Sequence, residues 1–341
     1  MTSFKRWAKR LGLGALALLA AAIMIGAGYE ARMRRQAVVN HPAPGKLVDI
    51  GGRKLHIDCR GSGTPIVILE AGLDMNGSLS WAKVHDSIAA TTRTCAYSRA
   101  GMMWSDDNPN QQDATTVAGD LHALLTAAGE KPPYVMVGHS LGGPYIMTFT
   151  KLHEAEVAGL VFVDASHPEQ FQRFNEVLGR KLEPPVGPLR AAAAFAWAGV
   201  VRVAMPGAAA ADFVGQATAA YAPTSIGPML EEMDALDSTV AQAGTFRQLG
   251  NRPLVVLTAM APTDTNQLKQ LKMTREESVR FQAAWKAMHE EEASWSTQSE
   301  HILVPDATHY IQYDRPDIVI AAVRKVVGLV RNPLAVPPPP H

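Results

Sequence analysis

Hydrophobic positions along the chain fall into three regimes. Leu11 to Tyr29 is nineteen residues without a charge, preceded by Lys5, Arg6, Lys9 and Arg10. At about 1.5 Å per residue such a helix nearly spans a hydrocarbon core of about 30 Å. The stretch exceeds the apolar core of a cleaved signal peptide and ends in an indifferent cleavage sequence, Ile25-Gly26-Ala27-Gly28-Tyr29. It therefore predicts an uncleaved anchor within residues 1–35, with a cleaved, secreted form as the alternative. The four preceding charges place the N-terminus in the cytoplasm and the body outside by the positive-inside rule.

From Lys46 the pattern alternates between strands and helices. KLVDI and RKLHIDC flank Gly51-Gly52, a hairpin signal. PIVILEAG is a short continuous apolar run, as in a strand buried on both faces. A helix is predicted over Ser78–Ala90, a strand over Arg93–Tyr97, and an amphipathic helix over Thr115–Ala128 stopped by Gly129. Tyr134–Val137 and Leu160–Val163 are further strands flanking a helix. After Ser166 the alternation stops, and residues 167–250 are Ala-, Pro- and Gly-rich with helical patches only. It resumes with a strand at Pro253–Thr258, a helix over Arg275–Ser296, a strand at Ile302–Val304 and a helix from Pro316 to Val330. The pattern specifies an α/β fold: a mostly parallel central sheet flanked by helices, in two parts (46–166 and 251–332), interrupted by a helical insertion at 167–250. The Pro-rich end, 333–341, is expected to be disordered.

Composition narrows the function. Lys+Arg and Asp+Glu both count 32 in 341 residues, so no basic excess exists to neutralise phosphates and no nucleic-acid partner is expected. Two cysteines, Cys59 and Cys95, cannot build a disulfide scaffold or an all-cysteine zinc site. One bridge is possible.

The chemistry concentrates in Val135-Met136-Val137-Gly138-His139-Ser140-Leu141-Gly142-Gly143, where a buried strand runs into Gly-x-Ser-x-Gly and a helical pattern follows. A turn tight enough to expose the serine oxygen crowds the positions two before and two after it, where only glycine fits. The helix N-terminus then aims N–H groups at the site. Ser140 is the candidate nucleophile. Of eleven histidines, His309 is the candidate base, because it follows the last strand in a loop, at the carboxyl end where open α/β sheets place their sites. His56, His85, His122, His139 and His289 read as structural. Two acids preserve the order Ser…Asp…His: Asp164, ending the strand after the serine's helix, and Asp264, in the loop beyond the next strand. Asp164 is preferred because a rigid element holds it. Two backbone N–H groups should form an oxyanion hole, those of Leu141 and of Leu73, which follows Gly72.

On these motifs the chain resembles the serine α/β-hydrolase family, in its esterase, lipase and peptidase-like branch, over Lys46 to Val330 outside the insertion. Leu69-Glu70-Ala71-Gly72, Tyr97-Ser98-Arg99-Ala100-Gly101, Val163-Asp164-Ala165-Ser166-His167-Pro168 and His309-Tyr310-Ile311-Gln312-Tyr313-Asp314-Arg315-Pro316 carry the likeness. That branch usually has Asp where Ser98 stands and Tyr-Gly where Met102-Met103 stand. The resemblance implies a hydrolase acting through an acyl-enzyme on a small-molecule acyl substrate, without metal or organic cofactor. A carboxylic ester is favoured over lactone, thioester or amide. Serine at the elbow argues against haloalkane dehalogenases and epoxide hydrolases, which carry aspartate there. The resemblance also implies that the strand of Cys59 lies beside that of Cys95, so an exported body could bridge them if register allows. The insertion would be a lid. Its apolar stretch Ala191–Met205 is expected to bury itself on the core, or alternatively to meet an acyl chain or the membrane. A membrane-tethered binding protein without turnover is the alternative function.

Overall fold

The structure, a computed structural model, describes residues 2–181, 186–204 and 212–333. Eight strands form one sheet: β1 (Lys46–Asp49), β2 (Lys54–Arg60), β3 (Ile66–Glu70), β4 (Thr94–Ser98), β5 (Tyr134–His139), β6 (Val157–Val163), β7 (Leu254–Ala259) and β8 (Ser299–Val304). Their order is β1-β2-β4-β3-β5-β6-β7-β8. The pairs β1–β2 and β2–β4 are antiparallel, and every later pair is parallel. This is an α/β-hydrolase sheet with helices over both faces.

The apolar runs alternate between two cores. Ile66, Ile68, Tyr134 and Met136 enter one cluster, while Val67, Leu69, Val135 and Val137 enter the other. Period-two alternation with both faces covered explains why these strands read as continuous hydrophobic runs. The β1–β2 turn forms because Asp49 Oδ1 accepts from the Gly51 and Gly52 amides at 2.8 Å, both glycines having positive φ. Helix Ala114–Ala128 starts on the Asp113 side-chain cap and stops at left-handed Gly129. Cys59 lies directly opposite Cys95 across the antiparallel β2–β4 pair, with Cα atoms 4.0 Å apart, and the two are bridged.

Three expectations need correction. The helix over Ser78–Ala90 is a 3₁₀ turn at Gly77–Trp81 followed by a short helix at His85–Ala89. Asp74 accepts from the Asn76 amide and the Ser80 hydroxyl, local bonds that compete with a regular helix. The helix from Arg275 ends at Ser294 rather than Ser296. The stretch from Ala191 buries Val201 but leaves Phe195, Trp197 and Val203 55%, 51% and 77% exposed. Met205, like 334–341 of the Pro-rich tail, lies outside the described residues.

The insertion is helical among the described residues, with helices at Gln170–Leu178, Gly187–Ala194, Val200–Ala204, Phe213–Asp234 and Leu236–Ala243. The chain divides into two compact units. One comprises 44–184 and 228–341 and holds the whole sheet; the other comprises 1–43 and 185–227. In the latter, a single helix runs Thr2–Asn40, past the expected end at 35. Within its span Phe4–Asn40 an 18-residue window reaches a mean hydropathy of 2.2, so the helix is long and apolar enough to cross a membrane by length and composition. Gly26 lies against Ala198, where a Cβ would approach the Ala198 carbonyl oxygen to 2.4 Å. Buried Glu30 pairs with Arg202 at 2.8 Å and Arg34 at 2.9 Å. Small residues permit the close approach, and the ion pair fixes its register.

Candidate active site

Strand β5 runs into Ser140, whose φ of 52° is a left-handed conformation uncommon for a residue with a side chain. Neighbouring glycines make that turn possible. A Cβ on Gly138 would sit 2.6 Å from the Gly142 carbonyl oxygen, and one on Gly142 would sit 2.5 Å from that of Glu70. The turn is held by the Ser140 carbonyl, which accepts from Gly143 N at 2.9 Å and Ser166 N at 2.8 Å. Helix Gly142–Leu152 follows, with Leu141 at its N-cap. Gly72 reaches the same place from β3: a Cβ there would lie 2.9 Å from Ser140 Cβ. Leu73, next along, packs with Leu141 and Tyr145 in one small apolar cluster. Gly72 thus adjoins the serine in space and Leu141 adjoins it in sequence.

Asp164 follows β6 directly and is buried, also with positive φ. Its Oδ2 accepts from His309 Nδ1 at 2.6 Å. Its Oδ1 accepts from Ala259 N at 2.8 Å and from the indole Nε1–H of Trp285 at 2.9 Å. Burial alone would raise the carboxyl's pKa. The His309 hydrogen bond and charge, with help from His289 and the Ala259 amide, outweigh it and hold the group below the usual carboxylate value. Asp164 is therefore an ionised acceptor, and His309 carries its proton on Nδ1. Asp264 does something else. It caps helix Thr265–Leu271, accepting from Asn266 N at 2.7 Å and Gln267 N at 3.0 Å in a capping box.

The His309 loop is pinned on two sides. Asp314 Oδ2 accepts from Thr308 N at 2.8 Å and Thr308 Oγ1 at 2.6 Å. His139 Nε2 donates to the His309 carbonyl at 2.9 Å. Burial, then the nearby charge of His309, lowers His139 to a pKa of about 3, so it stays neutral and keeps this donor tautomer.

Behind Asp164 lies a chain of fixed tautomers. His289 Nε2 donates to the Ala165 carbonyl at 2.8 Å, so its Nδ1 accepts from the Thr258 hydroxyl at 2.7 Å. Thr258 Oγ1 in turn accepts from His301 Nε2 at 2.7 Å. The sequence pattern marks His139 and His289 as structural and gives Trp285 no role. The signal available for two of them was their spacing, since Trp285 and His289 sit four apart on one face of helix Arg275–Ser294.

Ser140, Asp164 and His309 line one cavity of about 510 Å³, walled by Phe174, Phe281 and Trp285. Phe174 and Phe281 stack with centroids 3.8 Å apart. The volume lies in the usual range for small-molecule sites. Away from it, His122, His153 and Glu156 bring ligand atoms within 4.8 Å of one another, but the imidazoles stack face to face at 3.8 Å, so their lone pairs do not converge.

A profile of the alpha/beta hydrolase family matches residues 55–322. The "Probable transporter efuK" of Hormonema carpetanum is 37% identical over 137 residues, which is 37% of this chain and 19% of that protein. The uncharacterized protein YqjL of Bacillus subtilis is 25% identical over 284 residues, covering 82% of this chain and 91% of its own length. The chain spans only 19%, 32% and 41% of three curated relatives, the Hormonema protein among them. Among solved structures, a thermophilic esterase from Thermogutta terrifontis aligns with a TM-score of 0.52 at 17% identity, covering 82% of this chain and 94% of that one. At that identity the likeness concerns the fold. With the family profile matching residues 55–322, most of the chain, and the sheet order and elbow in place, the chain belongs to the alpha/beta hydrolase family.

Proposed function

We propose that the protein is a serine hydrolase acting on a carboxylic ester, with lactone, thioester and amide as further acyl substrates. One observation carries the reading: the His309–Asp164 pair and the elbow serine line a single cavity. Because His309 keeps its proton on Nδ1, its Nε2 lone pair is available to accept the proton of Ser140 as that oxygen attacks a carbonyl. The Leu73 and Leu141 amides stabilise the oxyanion, and the acyl-enzyme is released by water activated by the same imidazole. Asp164 holds the tautomer and offsets the imidazolium charge. No step requires a metal or an organic cofactor.

The apolar stretch of residues 11–29 anchors this hydrolase in a membrane with its body on the extracytoplasmic side, where an oxidising compartment favours the Cys59–Cys95 bridge. A cleaved, secreted form remains the alternative. Residues 167–250, inserted in sequence between the two core parts, 46–166 and 251–332, are assigned as the helical lid segment.

The test is a p-nitrophenyl ester series from acetate to palmitate together with a fluorophosphonate probe. The wild type is expected to label on Ser140, and Ser140→Ala to lose labelling and about 10³-fold or more of activity. Wild-type hydrolysis by Ser140→Ala would overturn the reading.

A further inference from the structure

Arg99 follows β4 and is 4% exposed. Its guanidinium offers five N–H donors in one plane, and all five are used. Nε donates to Glu232 Oε1, and Nη2 to both Glu232 Oε2 and the Gly72 carbonyl; Nη1 donates to Glu70 Oε1 and the Ala71 carbonyl, each at 2.7 Å. The ring of Tyr145 lies 4.9 Å from Cζ. Tyr97 donates to the other oxygen of Glu70.

An arginine buried only to neutralise charge would need the two carboxylates alone. Here two of its donors go instead to consecutive carbonyls of the turn that leaves β3. The second, Gly72, shares its peptide plane with the N–H of Leu73. A cationic donor on one end of a peptide fixes the rotation of the plane and polarises the N–H at the other end. The turn is also bounded by the nucleophile's helix: a Cβ on Gly142 would sit 2.5 Å from the Glu70 carbonyl oxygen and 2.9 Å from that of Ala71. Gly72 itself abuts Ser140. Arg99 and the nucleophile's helix both fix the turn.

From this we infer that Arg99 is a positioning residue for the oxyanion hole, orienting and polarising the Gly72–Leu73 peptide, and that Glu232 fixes Arg99 for this task. Glu232 belongs to helix Phe213–Asp234, so the insertion contributes a residue to the geometry of acyl transfer. The inference rests on Ser140 as the nucleophile. It assigns no proton transfer to Arg99.

Lysine at position 99 keeps the charge but cannot reach two carboxylates and two carbonyls from one nitrogen. In Arg99→Lys, kcat for a p-nitrophenyl ester should fall about 10- to 100-fold while KM stays within about twofold. The inhibition constant of a trifluoromethyl ketone, whose adduct places an anionic oxygen in the hole, should rise by the same factor as kcat falls. Glu232→Gln, which keeps shape and one acceptor, should show the same split at about 3- to 10-fold, and decides the matter if Arg99→Lys does not fold. A folded variant with wild-type kcat and inhibitor affinity, or a loss confined to KM, overturns the inference alone. A wild type that neither labels on Ser140 nor hydrolyses any ester overturns the reading of Ser140 and the inference with it.

Discussion

Trp285 donates its indole N–H to Asp164 Oδ1 at 2.9 Å, on the oxygen opposite the one that meets His309. The carboxylate is thereby gripped at both oxygens by side chains from two separate elements. Trp285→Phe keeps the ring against Phe174 but removes this donor, leaving Ala259 N as the remaining partner of Oδ1. A hydrogen bond to a charged group contributes roughly 1.5–3 kcal/mol, and part of that should appear in the transition state. The expected result is a fall in kcat of about tenfold in a folded protein. Steady-state kinetics with thermal melts check it; unchanged kcat would assign Trp285 to the cavity wall only.

Asp164 and Asp264 should respond oppositely to the same substitution. Asp164→Asn retains shape but loses the acceptor that fixes the His309 tautomer, and activity should fall by about 10⁴-fold. Asp264→Asn retains a good helix cap, so activity and stability should stay near wild type, while Asp264→Ala should cost about 1 kcal/mol of stability. Collapse of activity in Asp264→Asn with activity kept in Asp164→Asn would reverse the assignment.

Much of this was legible in the chain. Strands β3, β5, β6 and β7 announced themselves as apolar runs because both sheet faces are covered, and the elbow because its glycines have a steric cause. What periodicity could not show is which polar side chains converge across elements. Trp285 and His289 sit more than a hundred residues beyond Asp164, and nothing local tells a helix face that meets a carboxylate from one that meets leucines. The turn at Gly77–Trp81 was misread for a different reason: its side-chain bonds to Asp74 override a weak helical propensity. Exposure of Phe195 and Trp197 was equally hidden, since an apolar stretch does not declare its neighbours.

Glycines give a pair of predictions of opposite sign. Gly142→Ala drives a methyl to 2.5 Å from the Glu70 carbonyl oxygen, and backbone must shift to receive it. Stability should fall by about 1–3 kcal/mol and esterase activity should drop with the displaced turn. Gly119 sits in the interior of helix Ala114–Ala128 with nothing within 4 Å of its hypothetical Cβ. Gly119→Ala should stabilise by about 0.5–1 kcal/mol and leave activity alone. Denaturant midpoints and initial rates on the two variants test both statements.

Glu292 supplies the pH prediction. It is fully buried on helix Arg275–Ser294, and neither carboxylate oxygen has a hydrogen-bond partner among the described residues. Burial, then the negative charges of Asp164 and Glu291, pushes its pKa well above the ordinary 4.5. His289 Nε2 lies 4.0 Å from Glu292 Oε2 and already donates to the Ala165 carbonyl. Folded protein therefore keeps this proton at a pH where the unfolded chain has released it. Because the native state binds more protons than the unfolded one, stability falls as pH rises above 4.5 and goes on falling until the folded group ionises. Below 4.5 both states are protonated and the group contributes no pH dependence. Glu292→Gln keeps the volume and removes the proton uptake. Its Tm relative to wild type should thus increase from pH 4.5 to pH 8, with the advantage at the alkaline end. A difference between the two proteins that is the same at both pH values would mean that Glu292 is ionised in the fold, held by His289 as an ion pair across the 4.0 Å gap.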